Sequence, residues 1–274
     1  MTGFVSGRPE EWADFENRRT TFLERFSVLK EAVNRAYVRT FQSAEPVDMV
    51  VFYTGRLCAE EFLEIVLLCT NGYGFGAMKL LRGMYERVVT ARYLHLNPEH
   101  TEAYLDFDVV SRGKYAHAVR ETFADQLSRD QIEQFAAVEQ EATTLRDRFK
   151  IPLCEKCGTT RVNHTWSRLD VVSMARAAGG KLAEWVVPCY YEPLNHAHST
   201  MRALVLRLEG SDEDGWSFDT RPQRDVADRV LMLGHFLVLH SLDLQREHFK
   251  LDELERAVEN ASVAYKEIWG LTAR

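Results

Sequence analysis

"GAMKLLRGMYERVVTARYL", residues 76–94, decides the fold. Ala77, Leu81, Met84, Val88 and Ala91 recur at helical spacing and share one face. Phe75, Val89 and Tyr93 fall nearly opposite, together with Arg82 and Glu86 four residues apart. A helix that is apolar on both sides belongs inside a bundle and not on its surface. An Arg–Glu pair near its axis is then partly buried, and buried charge needs a partner. On an open surface the same spacing is an ordinary i,i+4 ion pair worth roughly 0.2–0.5 kcal/mol.

Outward from that helix the pattern stays helical, with sparse Gly and Pro and no sustained period-2 alternation. Residues 9–40 read as one long amphipathic helix carrying Trp12, Phe15, Phe22, Phe26 and Leu29, for which a peripheral arm is one placement. Pro46 and Asp48 open a second helix through "RLCAEEFLEIVLLC", and "NGYGFG" at 71–76 reads as a glycine-rich hinge. Asn97-Pro98-Glu99 has the form of a helix start. Ser128 and Gln131 match a capping box for a helix that ends near Phe149. "KIPLCEKCGTTRVNHTW" is an irregular insertion, centred on 150–166. Helices over 167–178 and 189–208, a solvated acidic loop "EGSDEDGWSFDTRP", and helices over 222–247 and 251–269 complete the chain. With no internal repeat and no long linker, the expectation is all-α: a single helical domain over 1–274, a bundle of about eight to nine helices.

Composition narrows the function classes. The 274 residues are 46% hydrophobic and 27% charged, an ordinary globular balance. Thirty-four basic against 41 acidic side chains give a net charge of −7, which disfavours a broad RNA-binding surface. "VLMLGHFLVLH" at 230–240 is too short to span a bilayer, and the N-terminal residues lack an apolar leader. Five cysteines without a regular framework read as reduced thiols, hence a cytoplasmic protein.

"LLRGMYE" (Leu80, Leu81, Arg82, Tyr85, Glu86) follows a Gly/Asn turn, and Tyr191, Leu194, Asn195 and His198 form a Tyr-x-x-Leu-Asn-x-x-His motif further on. Over residues 50–245 this order resembles a bacterial family of uncharacterised all-helical proteins with an "LLR…(Y/F)E" helix and a later "Y…L(S/N)…H" helix. The resemblance implies the helical fold and no activity. Tyr191, Leu194, Asn195, His198, Arg202 and Val205 share one face if 189–208 is one helix. Should that face meet Arg82 and Glu86, the set holds a proton acceptor, donors and a fixed positive charge, the parts of an acid/base or ligand site. The same residues equally make a self-satisfied buried network.

"CEKCG" at 154–158 is half of a zinc-ribbon signature. A structural zinc on Cys154, Cys157, His164 and a fourth ligand is the metal reading; a reduced CxxC loop is the other. Cys58 and Cys69 sit among apolar helical residues and read as core. A weaker resemblance, to the HEPN helical ribonucleases with their Arg-x4–6-His signature, rests on Arg112-"GKYA"-His117 and Arg229-"VLMLG"-His235. Gly113 and Val230 stand where that signature usually has a polar residue. His235 and His240 lie in a strongly apolar helix and read as core histidines.

Three functions follow. The first is a module binding a small molecule or protein partner through the Arg82/Glu86/His198 region, in a bacterial defence or stress setting, with a homodimer open to it. The second is a metal-independent RNase of HEPN type using Arg112 and His117 or the central Arg/His set. The third is a hydrolase whose metal is held by Glu86 and the histidines at 196–198.

Overall fold

The computed structural model describes residues 7–154, 156–198, 200–211 and 215–271; Glu155, inside the CxxC motif, lies outside them. Among the described residues there are twelve α-helices and two two-stranded antiparallel sheets, so the chain is all-α as its periodicity predicts. The chain forms two compact units, one from residues up to Leu96 together with those from Met174 onward, the other Asn97–Ser173.

The larger unit is built on three helices in mutual contact: α3 (Pro46–Thr70), α4 (Gly74–Leu96) and α11 (Arg224–Phe249). The middle of helix α11 is buried on nearly every side, with Val230, Leu231, Leu233, Leu237, Val238 and Leu242 at most 1% exposed. Helix α4 behaves as its two apolar faces require: Ala77, Leu81, Met84, Val88 and Ala91 are buried on one side, Val89 and Tyr93 on the other. At Gly55 in α3 an added Cβ would stand 2.3 Å from Tyr37 Oη and 2.8 Å from Ser241 Oγ, so only glycine permits that approach.

The expected helix 9–40 is two helices, α1 (Pro9–Arg18) and α2 (Thr20–Tyr37), broken at Arg19. At the break Arg18 and Arg19 both pair with Asp228 of α11, the latter at 2.7 Å. This N-terminal segment is not a peripheral arm. Phe15, Phe22, Leu29, Ala32 and Ala36 are buried, α2 packs on α12 (Asp252–Trp269), and buried Glu11 is held by Arg224 through two 2.8 Å bonds.

In place of the expected helices 167–178 and 189–208 this region forms shorter pieces: α7 (Val171–Ala178), an additional α8 (Lys181–Glu184), a π-turn (Val187–Tyr191), α9 (Glu192–Ala197) and α10 (Met201–Val205). Two glycines with left-handed φ, Gly179 and Gly180, separate the first two pieces. Pro188 and Pro193 fall within the next. The acidic loop carries a hairpin, β3 (Leu208–Ser211) and β4 (Gly215–Phe218). These breaks raise the helix count above eight or nine. No helix among the described residues is long and apolar enough to cross a membrane.

The smaller unit pairs α5 (Thr101–Phe123) with α6 (Arg129–Arg146). The Ser128/Gln131 capping box forms as expected. An added Cβ at Gly113 would stand 2.2 Å from Ala142 Cβ, so this glycine is the contact point of the two helices. The insertion holds a short hairpin, β1 (Lys150–Pro152) and β2 (Thr160–Val162).

Gly113→Ala should cost about 1–3 kcal/mol by overpacking that contact, measurable by urea denaturation. Acid should also destabilise the fold. His235 is buried among Phe22, Phe62, Tyr265 and Trp269, accepts from Trp269 Nε1 at 3.3 Å, and burial pushes its pKa down to about 3. Burial likewise pushes His240 down to about 4. Both are neutral in the native state and gain protons first in the unfolded chain, so stability falls as pH drops from about 6.5 toward 4. Glu11, its pKa lowered mainly by the Arg224 hydrogen bond, adds a loss of the same sign in more acid solution. His235→Leu should shrink the difference in urea midpoint between pH near 7 and pH near 5; an unchanged difference removes His235 from this account.

Candidate functional site

Arg82 and Glu86 lie on the face of α4 that receives the π-turn and α9. The motif helix divides its labour. Leu81 and Tyr85 are fully buried, and Tyr85 Oη donates to the Leu182 carbonyl at 2.7 Å. Arg82 and Glu86 turn outward, with side chains 20% and 36% exposed. Arg82 Nε is 2.9 Å from Glu86 Oε1, an ion pair by distance whose N–H is not aligned for a hydrogen bond.

His198 joins them. Its Nε2 lies 2.9 Å from Arg82 Nη1. A guanidinium has only donors, so His198 Nε2 is the acceptor and the ring proton sits on Nδ1. The Arg82 guanidinium also stands 5.0 Å over the Tyr190 ring, a cation–π contact. Tyr190 was not singled out from the sequence, although an aromatic beside the motif Tyr191 on an element facing an arginine was the available signal.

Tyr191 and Asn195 make local contacts. The Tyr191 ring, 48% exposed, is 5.4 Å from that of Tyr190, and Asn195 Nδ2 donates to the Tyr191 carbonyl at 3.5 Å. The expected single face of Tyr191, Asn195, His198 and Arg202 is not formed, because α9 ends at Ala197 and His198 is extended (φ −112°, ψ 159°). One helical level away, His196 stacks on Phe75 at 4.3 Å, and Arg207 stands 5.5 Å over the same ring. Burial first, then the charges of Lys79 and Arg207, hold the His196 pKa below the ordinary histidine range. Phe75, Lys79, Arg82 and Glu86 thus run along one strip of α4, with three cations, one carboxylate and two neutral imidazoles gathered at it.

The ribonuclease pair does not converge. Five residues of helix turn Arg112 and His117 about 140° apart. Arg112 is exposed and paired to Asp108 at 2.9 Å; exposed His117 lies between Glu121 at 3.3 Å and Glu139 at 3.5 Å. Of the second Arg–His match, Arg229 pairs with Glu192 at 2.8 Å while His235 is buried.

Among the described residues no group of three or more His, Cys, Asp or Glu stands close enough to hold a metal ion. His164 is therefore not gathered with Cys154 and Cys157; its Nε2 faces Arg161 Nη1 at 3.5 Å. Glu86 and His198 share a guanidinium, whose positive charge opposes a divalent ion there. Cys58, Cys69 and Cys189 are buried thiols whose pKa burial raises.

Residues 48–215, more than half of the chain, match the family of unknown function DUF5677. The chain belongs to that family. Neither a curated protein nor a solved structure matches it. The DUF5677 segment takes in α4, the π-turn and α9, hence every member of the Arg82 cluster, and carries no support for the ribonuclease resemblance.

Arg82→Ala reports whether the cluster is mainly architectural. With Arg82 and Glu86 in partial contact with water, the expected loss is about 1 kcal/mol, or about 2–4 °C in melting temperature. A wholly buried network would lose roughly 3–5 kcal/mol, and a drop of that size in a calorimetric melt would make the structural role dominant.

Proposed function

We propose that this DUF5677 chain is a ligand-binding module, and that it takes a small anion, a carboxylate or phosphate, on the strip of α4 centred on Arg82. The observation that carries the reading is the 2.9 Å Arg82–His198 contact. It occupies the only lone pair of a neutral imidazole, leaving His198 neither a free base nor a free metal ligand. The hydrolase reading needs that lone pair for its metal, and a ribonuclease built on the central Arg/His set needs it for a base. A binding module does not: an incoming anion replaces His198 as the acceptor for Arg82, and the ring can then donate from Nδ1 or Nε2. Lys79 and Arg207 supply further positive charge along the strip, and the rings of Tyr190 and Phe75 give it apolar walls. The ribonuclease reading has the weaker basis, since Arg112 and His117 are each matched to carboxylates that repel a phosphodiester.

The test is an NMR titration of the imidazole nitrogens with inorganic phosphate and with succinate as probes. One probe should shift the His198 Nε2 resonance saturably at millimolar concentration, and Arg82→Gln should weaken binding roughly tenfold or more, the worth of a charge-assisted hydrogen bond. If neither probe moves His198 in the folded wild-type protein, the anion site is wrong.

A further inference from the structure

A cleft of about 560 Å³ opens in the larger unit between α8, α11 and α12, with no residue of the α4 strip in its walls. Its shape follows from how little chain covers α11 there. Helix α8 is a single turn, set off by Gly179 and Gly180 at left-handed φ, and the chain leaves it at Trp185. What this segment lays against α11 is the Trp185 ring, stacked on Phe236 at 4.6 Å and 28°. Beside that stack the walls are Met232 and Leu239 of α11, Val258 of α12 and exposed Leu271. Small-molecule sites have roughly 300–1,000 Å³ and just such apolar walls, with a few polar groups that fix orientation.

The polar groups of this cleft carry a definite sign. Lys181 and Lys266 both line it, both are exposed, and neither makes an ion pair among the described residues. Asp243 is the one acid among the described lining residues, and its carboxylate is held by Arg246 at 2.7 and 3.1 Å. Positive charge is therefore left uncompensated beside an apolar surface. His240 is half-buried in the same walls, its ring 4.4 Å from that of Phe236. Burial pushes its pKa down to about 4, so the ring is neutral, and neither nitrogen has a hydrogen-bond partner among the described residues. A neutral imidazole keeps one N–H to donate.

We infer that this cleft is a second ligand site, which takes a hydrophobic carboxylic acid: a planar apolar body beside Trp185, and a carboxylate at Lys181 and Lys266. Each part of that ligand answers to a part of the wall. The lysines select an anion over a cation, since Asp243 is already matched. The apolar walls select one charge on a large apolar body over a phosphate or dicarboxylate, whose desolvation two exposed lysines do not offset. The flat indole of Trp185 favours an aromatic body. The cleft thus differs in kind from the Arg82 strip, where the charged groups are closely spaced and the apolar surface is small.

Naphthalene-2-carboxylate titrated into the full-length chain tests this, with naphthalene-2-methanol as the uncharged probe of the same body. Calorimetry reads affinity, and the NMR signals of the His240 ring read the place. The acid should shift the His240 signals saturably and bind roughly fivefold or more tightly than the alcohol, the worth of an exposed charge pair. The double variant Lys181→Gln/Lys266→Gln should bring the two affinities together. Half-buried Ser262 also lines the cleft, and Ser262→Phe, which adds a ring inside it, should block both probes. Unmoved His240 signals, equal affinities in the wild type, an acid preference that survives the double variant, or unimpaired binding to folded Ser262→Phe each overturns the proposal. If Ser262→Phe fails to fold, the double variant still decides, because both lysines are exposed. The His198 signals report the other site separately: movement there without movement at His240 overturns the cleft and leaves the Arg82 reading standing.

Discussion

The larger unit depends on how closely α3 can approach α11. Gly55 makes that approach possible, and a small polar junction fixes its register: Tyr37 Oη and Ser241 Oγ are 2.8 Å apart, and Gln245 Nε2 donates to the Val51 carbonyl at 2.8 Å. The junction is buried and ties α2, α3 and α11 together. Apolar contact is tolerant of sliding, whereas a buried hydrogen bond is either made or lost, so these few bonds select one packing among many that bury similar area. With α3 and α11 held in register, α4 has one bed to lie in. Its inner face fills that bed, and its other face is left to the segment that carries the motif histidines.

Charge is placed by the same logic at the N-terminal helices. Glu11 is 3% exposed, and an unpaired carboxylate there would be costly; two bonds from Arg224 satisfy it. Arg18 and Arg19, adjacent in sequence, would point about 100° apart on a continuous helix. The break at Arg19 lets both reach Asp228. A kink that looks like a defect in helical periodicity is therefore a means of converging two cations on one acid.

How far the sequence could be read follows from what periodicity encodes. Helix α4 was legible on both faces because burial on two sides writes apolar residues at two phases, and the capping box at Ser128 was legible because its chemistry is local. The Arg82–Glu86–His198 association was legible only as two motifs whose faces had to be assumed to meet. What failed was continuity. Nothing in the spacing of Trp12, Phe15, Phe22 and Leu29 marks the break at Arg19, since its cause is Asp228, about two hundred residues away. The strands at 150–152 and 160–162 are too short to show alternation. Arg112 and His117 matched a spacing pattern, but five residues along a helix carry side chains to different faces, and Gly113 between them answers to Ala142.

The break after Ala197 is the other failure of continuity, and it is the one that makes the site. Thr200 stabilises it from both sides: its Oγ1 donates to the Asn195 carbonyl at 2.7 Å and accepts from Ala203 N at 3.2 Å, capping α10. Thr200 N donates to the His198 carbonyl at 2.9 Å. Had the helix run on, His198 would have stayed in the row of Tyr191 and Asn195, seven and three residues before it. Extended backbone at His198 instead brings its imidazole to Arg82, while Tyr191 and Asn195 remain bonded to each other. An imidazole held on a short non-helical segment moves at lower cost than one fixed in a packed helix. In the proposed anion binding His198 must leave Arg82, and the break after Ala197 places that release on extended backbone instead of within a packed helix.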